Sequence, residues 1–377
     1  MVCPSMKVSG PWVFIPAGSC RRHPTHPGCP SGGSRSAAPF HSSSMKETTM
    51  RFEARVERWP MRSPFRISGQ EFNMAEMLVV QVRDGDLVGY GEACGVYYRG
   101  DGPDRMLEMA LSVRDALAAG ADRTRLQDLL PDCGARNAID CALWDLEAKR
   151  SGRPVWAMAG LKAAVPLPSF FTIGIDTPDA MAAAARTMTH ARAIKLKLSG
   201  DGDDGARVGA VRAARPDAWL AVDGNRGFTI DSINALVPML ETAGVRLLEQ
   251  PLAIGREGDM AGLDGSIPTA ADESVQVAAD LAGLVGLFDI VNIKLDKCGG
   301  LTHALIMEKA ARDLGFQVMV GNMTGTSWSQ APAFVLGQLC DYCDLDGPTF
   351  LAADRTPALW YADGLVYCPD EVWGGAR

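Results

Sequence analysis

Three carboxylates recur at a nearly constant pitch through the second half of the chain. Asp223, Glu249 and Asp272 are separated by 26 and 23 residues, and Lys294 follows 22 residues later. Carboxylate oxygens are the ligands that a hard divalent cation prefers, and three carboxylates at one place repel one another strongly unless such a cation lies among them. Each acid alone could instead cap a helix. Together they predict a metal site with a lysine beside it.

A pair of lysines precedes these acids, at Lys195 and Lys197 in the segment AIKLKL. Because the lysines alternate with leucines, both point to the same face of a strand. Burying a lysine inside a protein is costly unless the lysine is paired or functional, and burial near a cation is expected to lower its pKa. Lys294 lies in the similar segment NIKLDK. Two bases on opposite faces of one carbon can remove a proton from one side and return it to the other.

The pitch of these residues is the length of one strand plus one crossover helix. Alanine-rich helical segments separate short apolar strands, predicted near 167–173, 192–198, 218–223, 245–249, 268–272, 289–295, 316–320 and 340–346. Eight strands with seven helices between them predict a (β/α)7β TIM-like barrel, an α/β fold in which the C-terminal strand ends surround one pocket. The acids and lysines are therefore expected at the mouth of the barrel.

The remaining segments predict the domain organisation. Residues 50–92 alternate like strands, with a hairpin turn at Asp84-Gly85-Asp86, and residues 104–150 show helical spacing. We predict an α+β capping domain over 50–162, the barrel over 163–348, and a C-terminal segment over 349–377 that packs on the capping domain.

Residues 1–49 differ in composition from the rest of the chain. They are rich in Pro, Gly and Ser and carry a net charge of +4, which leaves −12 for the other 328 residues. Their Cys and His residues match no usual metal-ligand spacing. We expect a disordered leader, or upstream sequence ahead of a start at Met45 or Met50, whose removal would leave activity unchanged.

Charge and cysteine usage exclude several classes of partner and favour one compartment. The negative charge of residues 50–377 argues against nucleic-acid and anionic-membrane partners. The sequence contains no run of about 18 apolar residues, which is the length that a membrane-spanning helix needs. The seven cysteines after residue 49 show no paired spacing. Free thiols are typical of the cytoplasm, where we expect the protein to be located.

Several motifs together resemble one enzyme family. The segments KLKL, VDGN, LEQP, ADES and NIKLDKCGGL resemble the barrel signature of the enolase superfamily, in its muconate-lactonizing subgroup. ARNAIDCALWDLEAKR (135–150), NIKLDKCGGLTHAL (292–305) and CDLDGPTFLAADRTPAL (343–359) resemble the dipeptide epimerases within it. The resemblance covers residues 50–377.

The resemblance implies a role for each matching residue. It implies Mg²⁺ ligands at Asp223, Glu249 and Asp272, acid/base lysines at Lys197 and Lys294, and an electrostatic helper at Lys195. Asn225 and Glu273 would orient the ligands. An Asp-x-Asp motif, matched by Asp344 and Asp346, would hold the ammonium group of a dipeptide, although alone it could be an acidic turn before Gly347-Pro348. Other implied substrate-binding residues are Thr172, Arg66, Tyr98 and Arg99.

The capping-domain loops depart from the family. The epimerase specific for a glutamate dipeptide carries an arginine after Pro-Phe-x-Ile, where this chain has Gly69 after Pro64-Phe65-Arg66-Ile67-Ser68. The second loop, residues 95–100, is also altered. A strict preference for glutamate is therefore not expected, although Arg66 or Arg99 could substitute for the family's arginine.

The reaction that the resemblance implies is a two-base 1,1-proton transfer next to a carboxylate, through an enediolate that Mg²⁺ stabilises. It would invert the C-terminal residue of a dipeptide, in an enzyme that we expect to form a homo-oligomer. The same lysines also serve N-acylamino-acid racemases, cycloisomerases and o-succinylbenzoate synthases, which remain alternatives. A non-catalytic barrel acting as a scaffold is a further alternative.

Overall fold

The structure is a computed structural model that describes residues 50–376. The expected leader therefore lies outside the described residues. Within them, no helix is both long and apolar enough to cross a membrane.

The N-terminal part consists of an antiparallel sheet with helices packed on it. The sheet has the order β1-β2-β3, with β1 at Arg51–Ile67, β2 at Gln70–Asp84 and β3 at Leu87–Ala93. The predicted hairpin turn joins β2 to β3. The helices that follow are α1 (Pro103–Ser112), α2 (Arg114–Ala118), α3 (Arg123–Leu129), α4 (Gly134–Ser151) and α5 (Val155–Met158).

Two glycines of β3 let α4 lie directly against the sheet. A Cβ atom at Gly91 would come within 1.9 Å of the carbonyl oxygen of Ala138, and one at Gly89 within 2.0 Å of that of Ala142. Any side chain at either position would therefore push the helix away from the strand. The close approach allows α4 to bury Ala138, Ala142 and Leu146 completely.

Eight parallel strands form the second sheet, in the order β12-β11-β10-β9-β8-β7-β6-β5. They follow a short strand, β4 (Leu167–Pro168). Their bounds are Phe170–Ile173 (β5), Ala193–Lys197 (β6), Trp219–Asp223 (β7), Val245–Glu249 (β8), Thr269–Ala271 (β9), Ile290–Ile293 (β10), Gln317–Val320 (β11) and Tyr342–Cys343 (β12). Side chains join the two end strands, because Ser169 Oγ accepts from Leu345 N at 3.1 Å and Asp346 Oδ2 from Thr172 N at 2.5 Å. The predicted barrel is confirmed.

α-Helices connect most of the barrel strands. They are α6 (Pro178–Thr187), α7 (Asp204–Ala214), α8 (Ile230–Thr242), α9 (Leu295–Cys298), α10 (Leu301–Asp313) and α11 (Ser327–Gly337). Each of the seven crossovers contains a helix, and two of these helices, at Glu257–Gly262 and Ala278–Leu284, are 3₁₀ rather than α. Four glycines within residues 253–266 disfavour an α-helix in the first of them.

The C-terminal segment contacts the N-terminal part. Its strands β13 (Trp360–Ala362) and β14 (Leu365–Tyr367) form a small sheet with β4. Trp373 Nε1 donates to the carbonyl oxygen of Tyr90 at 2.7 Å, and Gly374 N donates to Asp145 Oδ1 at 3.0 Å. The domain boundaries themselves stay a prediction.

Candidate active site

Strand alternation builds the site as a polar layer above an apolar floor. Ala193, Ala221, Leu247, Ala270 and Ile290 belong to one buried cluster inside the barrel. Two residues further along each strand, toward its C-terminal end, the same inward face carries a polar side chain. Those side chains are Lys195, Asp223, Glu249, Asp272 and Asn292, and Lys197 and Lys294 lie one step beyond. The sequence periodicity thus brings all the predicted acids and lysines together.

The three acids form one compact group. Their nearest carboxylate oxygens all lie within 4.8 Å of one another, and each side chain is buried. Grouped, buried carboxylate oxygens are the donors that a hard divalent cation binds. The charge and the oxygen donors of Asp223, Glu249 and Asp272 therefore fit a Mg²⁺ ion.

Each of the six oxygens of these carboxylates accepts a hydrogen bond from the protein. The donors are Lys197 and Asn225 to Asp223, Lys195 and Asn292 to Glu249, and Lys294 and Lys297 to Asp272. Since all six donors are buried, they hold the carboxylates in fixed orientations.

The two candidate acid/base lysines lie on opposite sides of the acids. Lys197 Nζ donates to Asp223 Oδ2 at 2.5 Å, and Lys294 Nζ donates to Asp272 Oδ2 at 2.6 Å. Lys197 ends β6 and Lys294 directly follows β10, four strands further along the sheet. A carbon held above the acids could therefore be reached by one amine from each side.

The pKa shifts of these groups follow from burial and from one another. Burial, reinforced by Asp223, raises the pKa of Glu249 to about 7. Burial opposes the charge of Asp272, but Lys294 and Lys297 outweigh it and hold its pKa well below the usual range.

Carboxylates raise the pKa values of two of the lysines. Burial does oppose the charge of Lys294, but Asp272 and Glu249 outweigh it and raise its pKa well above the usual value. The same balance, with Asp344 as the main partner, raises the pKa of Lys195. The expected lowering applies to a lysine beside a bound cation, so it stays a prediction. A bound dication would compete with the lysines for the same negative charge.

Lys297 is a buried cation to which the sequence analysis gave no role. Its amine donates to Asp272 Oδ1 at 2.6 Å, to the carbonyl oxygen of Asp272 at 2.7 Å and to that of Asn292 at 2.8 Å. It is completely buried and joins the ends of β9 and β10. The signal that could have found it is its position three residues after Lys294, on the first turn of α9.

Asn225 and Glu273 lie together beside the acids. Asn225 N donates to Asp223 Oδ1 at 2.8 Å, and its amide donates to Glu273 Oε1 at 3.4 Å. Arg226 pairs with Glu273 at 3.2 Å. Burial, then the charge of Asp272, raises the pKa of Glu273 to about 7. Asn225 contacts Asp223 through its backbone, and the ligand-orienting role of both residues stays a prediction.

Asp344 and Asp346 are buried after β12 and already have partners in the protein. Asp344 Oδ2 accepts from Lys195, and Asp346 Oδ2 from the backbone of Thr172. Asp344 Oδ1 is buried without a hydrogen-bond partner in the structure. Burial, then the charge of Asp344, raises the pKa of Asp346 to about 7. One carboxylate oxygen of the pair is thus available for a further donor.

A cavity of about 230 Å³ lies between the barrel mouth and the N-terminal sheet. Lys197, Lys294 and Asp272 form its barrel side, and Tyr98 lies on the other side. The Tyr98 hydroxyl accepts from Gln276 Nε2 at 3.0 Å. Of the predicted substrate-binding residues, Tyr98 is therefore on the wall of the cavity.

The two predicted arginines are not on this wall. Arg66 is directed to the other face of β1, where its Nε donates to Glu71 at 2.6 Å. Arg99 donates to the carbonyl oxygens of Asp132 and Lys297, at 3.0 and 3.2 Å. The expectation that either arginine could bind the substrate is corrected by these contacts, which direct both guanidinium groups away from the cavity.

Comparison with known proteins assigns the family. Residues 49–160 match the model of the mandelate racemase / muconate lactonizing enzyme N-terminal domain, and residues 179–372 match the enolase C-terminal domain-like model. The chain belongs to the mandelate racemase / muconate lactonizing enzyme family of the enolase superfamily. The family resemblance predicted from its motifs is confirmed.

Two curated relatives carry different activities. The L-Ala-D/L-Glu epimerase of Escherichia coli K12 is 38% identical over 82% of this chain and 97% of its own. The N-acetyl-D-glutamate racemase of a Pseudoalteromonas species is also 38% identical, over 80% of this chain and 96% of its own.

Two solved structures of the family contain dipeptides. An enolase family member from Agrobacterium tumefaciens, with bound sodium and L-Ala-L-Glu, matches with a TM-score of 0.84 and 39% identity, covering 86% of this chain and all of its own. A dipeptide epimerase from Methylococcus capsulatus, with Mg and L-Arg-D-Lys, matches with a TM-score of 0.78 and 30% identity, covering 85% of this chain and 97% of its own.

Proposed function

We propose that this enzyme is an isomerase, a Mg²⁺-dependent dipeptide epimerase that inverts the α-carbon of the C-terminal residue by two-base 1,1-proton transfer. The observation that carries this proposal is the placement of Lys197 and Lys294 on opposite sides of one buried acidic triad. The names and bound dipeptides of its relatives support the same reaction.

Each lysine has one task for a given direction of the reaction. Lys197 or Lys294 removes the α-proton from one face of the carbon, and the other lysine, as an ammonium group, donates a proton to the opposite face. Lys195 remains charged between Glu249 and Asp344 and adds positive potential near the substrate carboxylate. When bound to Asp223, Glu249 and Asp272, Mg²⁺ supplies the charge that stabilises the carboxylate of the deprotonated substrate.

The amino terminus of the dipeptide is assigned to Asp344 and Asp346. The buried, unpartnered Asp344 Oδ1 supports this assignment, because an ammonium donor would satisfy it. Asp346 adds a second carboxyl group, and the backbone of Thr172 fixes its orientation.

An N-acylamino-acid racemase is the second candidate. It is favoured by the contacts of Asp344 and Asp346, which already have protein partners in Lys195 and Thr172 and so do not both require an ammonium group. The Pseudoalteromonas relative, an N-acetyl-D-glutamate racemase, also supports this candidate.

A comparison of free and blocked amino termini separates the two candidates. We would measure kcat/KM for a set of L-Ala-L-Xaa dipeptides, for the same dipeptides with an acetylated amino terminus, and for the N-acetyl amino acids. We expect the free dipeptides to be preferred by at least about tenfold, or about 1.4 kcal/mol of transition-state discrimination. Preference for an N-acetyl amino acid would replace the epimerase assignment with the racemase.

We propose two further properties. One is a cytoplasmic location, supported by seven free cysteines among the described residues. The other is the homo-oligomer expected from the sequence. Light scattering coupled to size exclusion measures the oligomeric state, and a monomer would contradict the proposal.

A further inference from the structure

We infer that the epimerised residue of the substrate has a hydrophobic side chain. This inference rests on the proposed epimerase function and adds the substrate class. It comes from the part of the cavity that lies beyond the lysines, toward the N-terminal sheet.

The wall of this part of the cavity is apolar. Sulfur-containing, aromatic and aliphatic side chains line it, namely Met61, Phe65, Ile67, Phe72, Met74 and Met323. Since Lys197 and Lys294 flank the reacting carbon from the barrel side, a side chain on that carbon would extend toward this wall. Apolar side chains gain free energy on entering such a pocket, and unpaired charged ones lose it.

The register of one hairpin determines which residues reach the cavity. Phe65 of β1 pairs with Phe72 of β2, and the next pair is Arg66 with Glu71. Because neighbouring pairs point to opposite faces of a sheet, the two phenylalanines face the cavity and the ion pair faces away. The same alternation directs Ile67 and Met74 inward.

Tyrosine rings extend the apolar wall at its edge. The Tyr97 ring contacts Phe72 edge-on, with centroids 5.5 Å apart, and contacts Tyr98 at 5.1 Å. Arg226 lies over the Tyr98 ring at 4.9 Å, where it is paired with Glu273. Its charge is thus already balanced by a neighbour.

The charges on the wall disfavour an acidic side chain. The described residues that line the cavity include no arginine. Their lysines are Lys197 and Lys294, and each already forms an ion pair with a carboxylate. Four wall residues are acidic, namely Glu76, Asp101, Asp272 and Glu273. A glutamate side chain would therefore lose its hydration without gaining a cationic partner.

The four acids do not favour a cationic side chain instead, because each already has a donor. Asp272 accepts from Lys294 and Lys297, and Glu273 accepts from Asn225. Glu76 pairs with Arg58 at 2.7 Å, and Asp101 accepts from Gly134 N at 2.6 Å. The apolar surface is the part of this wall that remains for the substrate to contact.

The test measures kcat/KM of the wild-type enzyme for L-Ala-L-Phe, L-Ala-L-Leu, L-Ala-L-Glu and L-Ala-L-Lys. We expect both hydrophobic dipeptides to exceed the glutamate and lysine dipeptides by at least about tenfold. Equal or higher values for the glutamate or lysine dipeptide would overturn the inference and leave the epimerase assignment intact. If no dipeptide exchanged its α-proton, the proposed function would fail and the inference with it.

A matched pair of variants tests the wall directly. Met74→Arg introduces a guanidinium group on the cavity side of β2, at a residue exposed enough to tolerate it. We expect the ratio of kcat/KM for L-Ala-L-Glu over L-Ala-L-Phe to rise about tenfold or more. Arg66→Ala, one residue from the wall but on the opposite face, should leave that ratio unchanged. A ratio that moved with Arg66 and not with Met74 would contradict the assignment of the wall.

Discussion

Replacement of Lys297 by methionine tests the part of the site to which sequence analysis gave no role. Methionine keeps the length of the side chain and removes its charge. Asp272 would then lose one of its two cationic partners, and the carbonyl oxygens of Asp272 and Asn292 would lose their hydrogen bonds to the amine. Removing one partner of a buried ion pair typically costs about 3–5 kcal/mol, which is a large part of the usual stability of a protein.

The loss should depend on Mg²⁺. A cation bound by Asp272 offsets part of the negative charge that Lys297 balances, so the variant should bind Mg²⁺ more tightly than the wild type does. At saturating Mg²⁺ it then recovers stability by RT ln of the ratio of the two Kd values. We therefore expect Lys297→Met to lose about 3–5 kcal/mol in the metal-free protein and less with Mg²⁺ present. Urea denaturation with chelator and with saturating Mg²⁺ measures both values.

The matched control is Lys309→Met, which removes a lysine paired with Asp313 on the exposed side of α10. Its unfolding midpoint should stay at the wild-type value under both conditions. If Lys297→Met were within about 0.5 kcal/mol of the wild type without metal, the idea that this lysine holds Asp272 would be refuted.

Two further predictions concern the acids. Asp223→Asn should weaken Mg²⁺ binding at least about tenfold and reduce turnover by orders of magnitude, because a ligand charge is lost. Calorimetric titration with Mg²⁺ measures the change in affinity. Full activity of the wild type in chelator would contradict the dependence on Mg²⁺. Asp346→Asn keeps an acceptor for Thr172 and removes a group whose pKa is raised to about 7 in the folded protein. The ionised form opposes folding, so the variant should gain stability over the wild type at pH 8, by about 1.4 kcal/mol for each unit of the shift, and this gain should vanish near pH 4. A gain that did not change with pH would contradict the shift.

Sequence periodicity was sufficient to predict the barrel and the placement of its polar layer. Each acid lies two residues after an inward-facing apolar residue, and the spacing of about 23 to 26 residues places successive acids on neighbouring strands. The alternation and the spacing are both visible in the sequence, so they could be recognised without knowing how the strands pair.

Properties that depend on distant contacts could not be predicted in this way. The outward direction of Arg66 follows from its pairing with Glu71 across the hairpin, and that of Arg99 from carbonyl groups in other parts of the chain. A lysine in a short helix after a strand, such as Lys297 in α9, is predicted to be exposed until the packing around it is known.

The sign of a pKa shift also depends on contacts between residues that are distant in the chain. The sequence indicated that Lys294 is buried, and burial alone lowers a lysine pKa. Its distance of 2.6 Å from Asp272, which reverses the balance, is a tertiary contact.

The most direct test of the central claim, that two lysines act on opposite faces of one carbon, is stereospecific hydrogen exchange in deuterium oxide. Lys197→Ala and Lys294→Ala would each be incubated with the L,L and L,D forms of a dipeptide that the wild type epimerises, and deuterium at the α-carbon would be measured by mass. We expect neither variant to epimerise, one to exchange only the L,L form and the other only the L,D form. Epimerisation at the wild-type rate by either variant, or exchange of the same form by both, would contradict the two-base mechanism.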